Sequence, residues 1–448
     1  MKKLLLTVFL LPALLHAQIG KRFPSERKVV KDPVTGTELV FLTSTPQGDA
    51  KIYQTHTQWT ADGQWLIFRS GRARNEALAV NEKTGDIVQV TEGGYTGMLC
   101  VARKSMKLYF MQNASADTAQ RRRGGGPLRV MEVDLQKVFD DSKKGAMKPA
   151  SSYQRVCGNI AADLGAGGDM ALDAEEDFVY FRVGRTEAAK HLPANAKVEK
   201  NFGPRNMGAG PAGLMSMNIK DGELKYIVSV PFQIGHVQSN PWVKGEIVFC
   251  WETGGKSPQR TWTVNADGTG LRPLYPEADY EWVTHEAVIS KDEVAVAIMG
   301  HRKIKGVDST GTDVGGANPG QDAAWGPSGT REKPTGLGIV NLRTREMVIA
   351  GQTPSGSGLW HVHGSPDGRW AVGDDFSRSL YLIDRKTGEM RLLTTGHKTT
   401  ASDHPHPTFN ADGTKIEIQS AMLSADGRSM NICIVPVPTE WLKRSVKQ

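Results

Sequence analysis

Short stretches of alternating apolar and polar residues, separated by turn residues, run along most of this chain. One recurring unit is a strand, an Asp-Gly turn and a second strand, with clear copies around Asp62-Gly63, Asp367-Gly368 and Asp412-Gly413. Alternation with a period of two is typical of half-buried strands. Asp-Gly supplies the positive φ that a tight hairpin turn requires. The pattern therefore predicts a series of β-hairpins.

A second unit alternates with the first and places a Thr-Gly or Asp-Gly turn between two further strands. Its copies span 80–90, 217–228 and 382–393, with a weaker copy at 264–274. Helical periodicity is absent after residue 20. A four-strand unit that recurs every 40–60 residues or so is typical of propeller blades. We therefore predict an all-β fold, one seven-bladed β-propeller domain over 18–448. Eight blades, a pair of β-sandwiches and a β-helix are the alternatives.

The first 17 residues have the pattern of a cleavable signal peptide. Lys2 and Lys3 precede an apolar run at 4–15 that is too short to span a bilayer, and the small residue Ala17 precedes Gln18. The alternative is a buried N-terminal helix. We expect cleavage after residue 17, a periplasmic or secreted mature protein, and no membrane span in the rest of the chain.

The charge balance is basic, with 55 Lys and Arg against 48 Asp and Glu and a formal net charge of +7. An excess of positive charge suits nucleic acid, an anionic surface or an anionic substrate. Because an exported protein does not meet nucleic acid inside the cell, the positive charge favours an acidic extracellular substrate. The four cysteines are too few for a disulfide framework in a chain of this size. We expect them to be small buried hydrophobic residues, and disulfide pairing is the alternative.

Two segments, 113–127 and 303–336, interrupt the strand pattern and are expected to be long loops at blade edges. The first contains the triplet Arg121–Arg123. Such a run is either part of a solvated loop or a binding site for an anionic glycan.

Histidines supply the candidate chemistry, and they are concentrated at His236, His285, the pair His361 and His363, and the pair His404 and His406. In an extended strand His404 and His406 point to the same side. Pro405 favours an extended conformation at His404. Both imidazoles would then reach one metal ion, since neutral imidazole is a common transition-metal ligand. The alternative is a pair of exposed loop histidines, and His236 and His285 would equally suit half-buried structural positions.

Five segments taken in order carry a resemblance to a known family. They are 71–75, 234–236 with the following 248–252, 259–268, 284–286 and 404–409, the last reading His-Pro-His-Pro-Thr-Phe. This ordered set resembles the oligogalacturonate lyases of polysaccharide lyase family 22, across nearly all of the mature length.

The resemblance implies a seven-bladed propeller that holds a divalent metal, typically manganese, in its central cavity. Ca²⁺, Zn²⁺ and Ni²⁺ are alternatives. The family's metal histidines correspond to His285, His404 and His406, and its Brønsted base corresponds to His236. The family also has a glutamine metal ligand, and the corresponding position in this sequence is Ala401. Asp403, His361, His363 or water would have to complete the coordination.

The activity that the resemblance implies is β-elimination on short oligogalacturonides or related uronate oligosaccharides. His236 would take the proton from C5, and a tyrosine or water would protonate the leaving oxygen. Arg260 and Arg74 are candidates for binding the substrate carboxylate. His361 and His363 are further substrate-binding candidates.

A family arginine also has no counterpart, because the nearby position is Gly213. This departure, together with Ala401, favours a rival reading, a lyase or hydrolase on another acidic glycan. A non-catalytic TolB-like propeller that binds a protein partner is the other rival. A serine hydrolase fits poorly, since the chain lacks a Gly-x-Ser-x-Gly elbow. The oligomeric state stays open.

Overall fold

The computed structural model describes residues 18–115, 126–200, 207–253, 257–278, 281–301, 336–352 and 358–444. The expected signal peptide at 1–17, the triplet Arg121–Arg123 and nearly all of 303–336 lie outside the described residues.

The described residues form seven antiparallel sheets, five of four strands and two of five. The strands of the first half are β1 (Arg22–Phe23), β2 (Lys28–Lys31), β3 (Glu38–Phe41), β4 (Ala50–Lys51), β5 (Trp65–Arg69), β6 (Ala77–Asn81), β7 (Ile87–Gln89), β8 (Thr96–Val101), β9 (Lys107–Asn113), β10 (Leu128–Asp134), β11 (Gln154–Ile160), β12 (Gly167–Leu172), β13 (Phe178–Val183), β14 (Ala209–Asn218) and β15 (Leu224–Phe232). Those of the second half are β16 (Ile234–Ser239), β17 (Glu246–Trp251), β18 (Thr261–Asn265), β19 (Arg272–Pro273), β20 (Glu281–Ser290), β21 (Glu293–His301), β22 (Gly336–Asn341), β23 (Met347–Gly351), β24 (His361–Gly364), β25 (Trp370–Asp374), β26 (Leu380–Asp384), β27 (Met390–Thr394), β28 (Thr408–Phe409), β29 (Lys415–Ser420) and β30 (Asn431–Pro436).

Each sheet is one blade of a propeller. From the outer edge to the central channel, blades 1 to 7 are β1-β7-β6-β5-β4, β11-β10-β9-β8, β15-β14-β13-β12, β19-β18-β17-β16, β23-β22-β21-β20, β27-β26-β25-β24 and β2-β3-β30-β29-β28. The innermost strands from β8 to β28 contact one another in turn around the channel. The prediction of an all-β, seven-bladed propeller is confirmed, and the eight-bladed alternative is wrong.

Blade 7 closes the ring, because it joins both ends of the chain in one sheet. Val40 of β3 lies opposite Ile434 of β30, and Phe41 lies opposite Cys433. Leu39 is fully buried in the hydrophobic cluster of this blade. Closure therefore depends on backbone pairing and on buried apolar side chains.

The predicted hairpin turns are present. Gly63, between the innermost strand of blade 1 and β5, has φ of 67°, and Gly85, between β6 and β7, has φ of 74°. A residue with a Cβ adopts these values at a steric cost, so glycine suits both turns.

Within the described residues, three helices and two short 3-10 turns interrupt the strands, and they are α1 (Leu135–Lys144), α2 (Arg185–Ala189), α3 (Thr439–Leu442), Ala150–Ser152 and Ala162–Leu164. The expectation of no helix after residue 20 is therefore wrong. The Asp134 side chain caps α1 by accepting a hydrogen bond from the Lys137 amide at 3.1 Å, and Gly145 ends it with φ of 66°. Phe139 of α1 stacks on Trp65, with the ring centroids 4.1 Å apart.

The four cysteines are buried and unpaired, which confirms their expected role as small hydrophobic residues. No helix within the described ranges combines the length and the apolar character that crossing a bilayer requires.

Candidate active site

A cavity of about 540 Å³ opens at the end of the channel where several innermost strands begin. Its lining residues come from blades 1, 3, 4, 5, 6 and 7, and they include Tyr53, His236, Arg260, His285, His361 and His406. The propeller thus brings residues that are far apart in the sequence to one place.

Three of these histidines have left-handed backbone conformations, with φ of 49° at His236, 50° at His285 and 51° at His406. The pairing register of β16 shifts between Gly235 and Gln238, and that of β20 shifts between Thr284 and Ala287. A β-bulge re-aims the side chain that it carries. Left-handed non-glycine residues are costly, by roughly 1–3 kcal/mol each, and they cluster at functional sites.

The His236 imidazole lies between two carboxylates. Its Nδ1 is 2.8 Å from Oε1 of Glu286, and its Nε2 is 3.5 Å from Oε2 of Glu252. Burial disfavours the charged ring, but the negative charges outweigh burial and raise the pKa of His236 above its ordinary value. His236 is therefore a stronger base than a free imidazole.

Glu286 is fully buried and stays ionised. Burial alone would raise its pKa, but Arg260 and His236 together lower the pKa of Glu286 to about 2. The Arg260 Nε donates to Oε2 of Glu286 at 3.0 Å, while the other oxygen of Glu286 faces His236. Glu286 thus fixes both the arginine and the imidazole.

Arg260 is held inside the wall of the cavity, with its side chain 2% exposed. Its Nη2 lies 3.7 Å from Oε2 of Glu252, and its backbone amide donates to Oε2 of Glu277 at 2.9 Å. Its Nη1 is buried and has no hydrogen-bond partner within the described ranges. A buried, unpaired guanidinium donor is well suited to an anionic ligand.

The remaining histidines gather around His361. Its ring centroid lies 3.7 Å from that of His406, 4.2 Å from that of His285 and 5.2 Å from that of His404. The rings of His285, His404 and His406 thus surround that of His361, but among the described residues of this cluster only His361, Asp374 and His404 bring one ligand atom each within 4.8 Å of the others. Burial, and then the neighbouring His406, lower the pKa of His361 to about 3, which keeps this ring neutral.

The His404-Pro405-His406 segment is not the extended strand that we predicted. Strand β28 begins only at Thr408, and His406 is left-handed. Both rings lie near that of His361 although they come from an irregular segment before β28. The His406 Nε2 lies 3.1 Å from Oδ1 of Asp403.

The donor atoms of this cluster fit a divalent metal. His406 Nδ1 is buried without a hydrogen-bond partner in the described part of the chain. One ligand atom from each of His361, Asp374 and His404 lies within 4.8 Å of the others. Several neutral imidazoles beside a carboxylate are a donor set that first-row divalent ions prefer.

Tyr53 is a site residue that sequence analysis did not single out. Its hydroxyl is 2.7 Å from Nδ1 of His285, and its ring centroid is 5.1 Å from that of His236. Burial raises the pKa of Tyr53 well above its ordinary value. Its segment crosses the channel, because Gln54 Nε2 donates to the Val362 carbonyl at 3.0 Å. Glu286 belongs to the 284–286 segment but was given no role of its own, and the buried Asp374 lies in none of the five segments.

Other predicted residues lie away from this cavity. Arg74 is exposed and lines a separate cavity with Tyr95. His363 is on β24 but lines a different cavity, together with Trp59 and Phe409. The family's glutamine position, Ala401, is buried in a small apolar cluster.

Fold and site together define a seven-bladed β-propeller with a histidine-lined cavity at one end of its channel. Among solved structures it is similar to an oligogalacturonate lyase in complex with manganese, with a TM-score of 0.69, 18% identity and coverage of 95% of this chain and 100% of that one. The oligogalacturonate lyase from Vibrio parahaemolyticus gives a TM-score of 0.68 and 18% identity, covering 94% of this chain and 100% of that one. No protein-family model and no curated protein matches the sequence. The fold expected from the resemblance is thus confirmed.

Proposed function

We propose that this protein is a metal-dependent lyase that cleaves short oligogalacturonides, or related uronate oligosaccharides, by β-elimination. The observation that carries the proposal is the pairing of His236 with ionised Glu286 in the same cavity as Arg260 and three further histidines, His285, His361 and His406. The two structural neighbours are themselves named oligogalacturonate lyases, which supports the same reaction.

The reaction removes the proton at C5 of a uronate and expels the sugar oxygen at C4. That C–H bond is very weakly acidic while the adjacent C6 carboxylate keeps its negative charge. A cationic group must therefore neutralise the carboxylate and stabilise the enolate-like charge that develops. Arg260 contributes its unpaired Nη1 to this task.

His285, His404 and His406 would hold the divalent ion, for which manganese is our choice. When bound, such an ion supplies Lewis-acid stabilisation of a carboxylate. The neutral state of the neighbouring His361 suits a metal site, because a protonated imidazole beside the ion would oppose binding.

His236 is the base. Glu286 accepts a hydrogen bond from the protonated Nδ1, which leaves Nε2 to take the C5 proton. The raised pKa of His236 strengthens it as a proton acceptor once it is neutral. Tyr53 or a water returns a proton to the C4 oxygen.

The substrate-binding roles of Arg74 and His363 stay predictions, because each residue lines a different cavity. The N-terminal pattern at 1–17 further supports export to the periplasm or the medium. The formal charge of +7 falls to +5 when the expected signal peptide takes away Lys2 and Lys3, and this positive excess suits attraction of a polyanionic sugar.

The test is digestion of di- and trigalacturonate, followed by the ultraviolet absorbance of the unsaturated product, with and without a chelator. We expect the chelator to abolish activity and added Mn²⁺ to restore it. His236→Ala should remove nearly all activity, whereas His397→Ala, which changes a buried histidine outside the cavity, should retain it. Full activity without metal would contradict the metal role, and full activity of the His236 variant would contradict the base.

A second candidate is a lyase or hydrolase on a different acidic glycan. It is favoured by Ala401, which lies in an apolar cluster where the family has a metal-binding glutamine. A panel of uronate oligosaccharides separates the two candidates, since only the first predicts a preference for galacturonides.

A further inference from the structure

We infer that His361 is a metal ligand in this chain, in place of the glutamine that the family has at the Ala401 position, and that Asp374 positions it. This inference deepens the proposed metal-dependent function and rests on it. It gives His361 a different role from the substrate contact that the sequence predicted.

The position of His361 is the first support. It is the first residue of β24 in blade 6, and its side chain is only 3% exposed. The rings of His285, His404 and His406 all lie within 5.2 Å of its ring, centroid to centroid. Ligand atoms of His361, His404 and Asp374 lie within 4.8 Å of one another, so an ion bound by His404 lies within reach of the His361 imidazole.

The contacts of Asp374 are the second support. This carboxylate is fully buried, and its Oδ1 accepts the backbone N–H of His361 at 2.7 Å. Its Oδ2 lies 3.2 Å from Nδ1 of His361 and 3.5 Å from Nδ1 of His404. A carboxylate on one ring nitrogen fixes the tautomer and leaves the other nitrogen as the metal donor. Asp374 thus orients the His361 imidazole and places a negative charge beside that of His404.

The other residues that might replace the glutamine are less well placed. Ala401 has no donor atom and is buried beside Ala421 and Met430. His363 lines a different cavity. The Asp403 side chain is 54% exposed and already pairs with His406. His361 alone among these candidates is buried, oriented and adjacent to the three expected ligands.

The test is Mn²⁺ binding to the full-length protein, measured by the electron paramagnetic resonance signal of free Mn²⁺ and by calorimetry. Neither readout depends on catalysis. We expect His361→Ala to weaken Mn²⁺ binding by at least the roughly 10–100-fold that loss of an outer-shell partner causes. His361→Gln, which restores an amide oxygen, should fall between that variant and the wild type. His397→Ala, which removes a buried imidazole outside the cavity, should bind Mn²⁺ as the wild type does.

Asp374→Asn separates positioning from ligation. We expect it to weaken Mn²⁺ binding by roughly 10–100-fold. The visible spectrum of the Co²⁺-loaded Asn variant should match that of the wild type, because the ligand set is intact. The spectrum of Co²⁺-loaded His361→Gln should change, because one nitrogen donor is replaced by oxygen. Circular dichroism melts verify that each variant is folded.

The outcomes separate this inference from the proposed function. Tight Mn²⁺ binding by both the wild type and His361→Ala would overturn the role of His361 and leave the proposed metal dependence standing. A wild type that binds no Mn²⁺ would overturn both. If His361→Ala does not fold, an unchanged Co²⁺ spectrum and unchanged Mn²⁺ affinity in His361→Gln would overturn the inference.

Discussion

At the scale of single residues, the chemistry of His236 is set by what lies beside it. The same imidazole on a polar surface would titrate near its ordinary value of 6.5. Here Glu286 at 2.8 Å and Glu252 at 3.5 Å favour the charged ring against the effect of burial. The pH dependence of the proposed reaction should therefore change when either carboxylate is removed.

We predict that Glu286→Gln moves the acidic limb of the pH–rate profile to lower pH. The base must be neutral to accept a proton, so kcat/KM rises as pH passes the raised pKa of His236. Removing the charge of Glu286 lowers that pKa, because the charged imidazole loses its nearest counter-charge. Kinetics on trigalacturonate across the pH range measures the shift.

The matched comparison is Glu252→Gln. Its carboxylate lies 3.5 Å from the imidazole rather than 2.8 Å, so the shift should have the same direction and a smaller size. An acidic limb that stays in place in Glu286→Gln would argue against His236 as the base.

A buried ion pair near the channel gives a second prediction at this scale. Lys51 Nζ lies 4.0 Å from Oε2 of Glu417, with side chains 1% and 0% exposed. Burial lowers the pKa of Lys51 to about 8 and raises the pKa of Glu417 to about 7. Each charge is therefore tolerated mainly because the other is present.

We predict that Lys51→Met lowers the free energy of unfolding above pH 7, where Glu417 would be ionised, by up to about 3–5 kcal/mol, since it leaves a buried carboxylate without its counter-charge. The double variant Lys51→Met, Glu417→Gln should recover much of that loss. Urea unfolding at a pH above 7 measures both. A double variant less stable than the single one would show that the pair is not coupled as described.

The pH dependence of stability follows from the same pair. The folded pKa of Glu417 is raised from 4.5 to about 7, so the folded state binds this proton more tightly than the unfolded state does. The stabilisation that this bound proton gives to the folded state is fully present below pH 4.5 and is lost as the pH rises through about 7. Urea unfolding of the double variant should show no such decline in the free energy of unfolding between pH 4.5 and about 7. If the decline is unchanged in the double variant, another group causes it.

At the scale of elements, the innermost strands are bent where they carry the site. His236, His285 and His406 have positive φ, and the first two stand at bulges of β16 and β20. Regular strands would have sent alternate side chains into the channel and into the blades. The bulges allow an imidazole to face the cavity while both flanking stretches keep their pairing.

We predict that glycine is better tolerated than alanine at these three positions. The left-handed conformation costs a residue with a Cβ about 1–2 kcal/mol relative to glycine. His406→Gly should therefore unfold at higher urea concentration than His406→Ala. Both variants lack the imidazole, so the comparison isolates the backbone.

His363 provides the control for that comparison. It lies in β24, and its φ is not among the positive values. There the usual order should hold, with the glycine variant less stable than the alanine variant by about 0.5–1 kcal/mol. The same order at both positions would show that backbone strain does not contribute at His406.

At the scale of the whole molecule, stability depends on the closure of the ring in blade 7. Strands β2 and β3 come from one end of the chain and β28 to β30 from the other. The four cysteines are all unpaired, so no disulfide reinforces this joint. Opening blade 7 would expose the edges of a sheet and release both ends of the chain.

We predict that Leu39→Ala lowers the free energy of unfolding by about 2–5 kcal/mol, as expected for a fully buried leucine. Val29→Ala, in β2 of the same blade, should change it by less than about 0.5 kcal/mol because Val29 is 46% exposed. Chemical denaturation of the two variants measures the difference. Equal losses would show that packing at the ring closure does not limit stability.

The sequence by itself determined the repeating element and the residue types of the site. Alternation and Asp-Gly turns act over a few residues, so they are readable locally and predict strands, hairpins and blades. The histidines could be singled out because their side chains carry distinctive chemistry, whereas Arg260 was singled out through the resemblance to a known family. Helix α1 was missed, since its caps at Asp134 and Gly145 are weak signals within a strand-rich pattern.

The tertiary structure decided how those residues act. His236 and Glu286 are 50 positions apart in sequence, yet they are hydrogen-bonded because β16 and β20 are adjacent innermost strands. Asp374 and Tyr53 join the site in the same way, from blades 6 and 1. Local patterns contain no information on which strands meet at the axis. Only the closed ring places these side chains within a few ångströms, and at that distance charge and burial set their pKa values and their capacity to bind a metal.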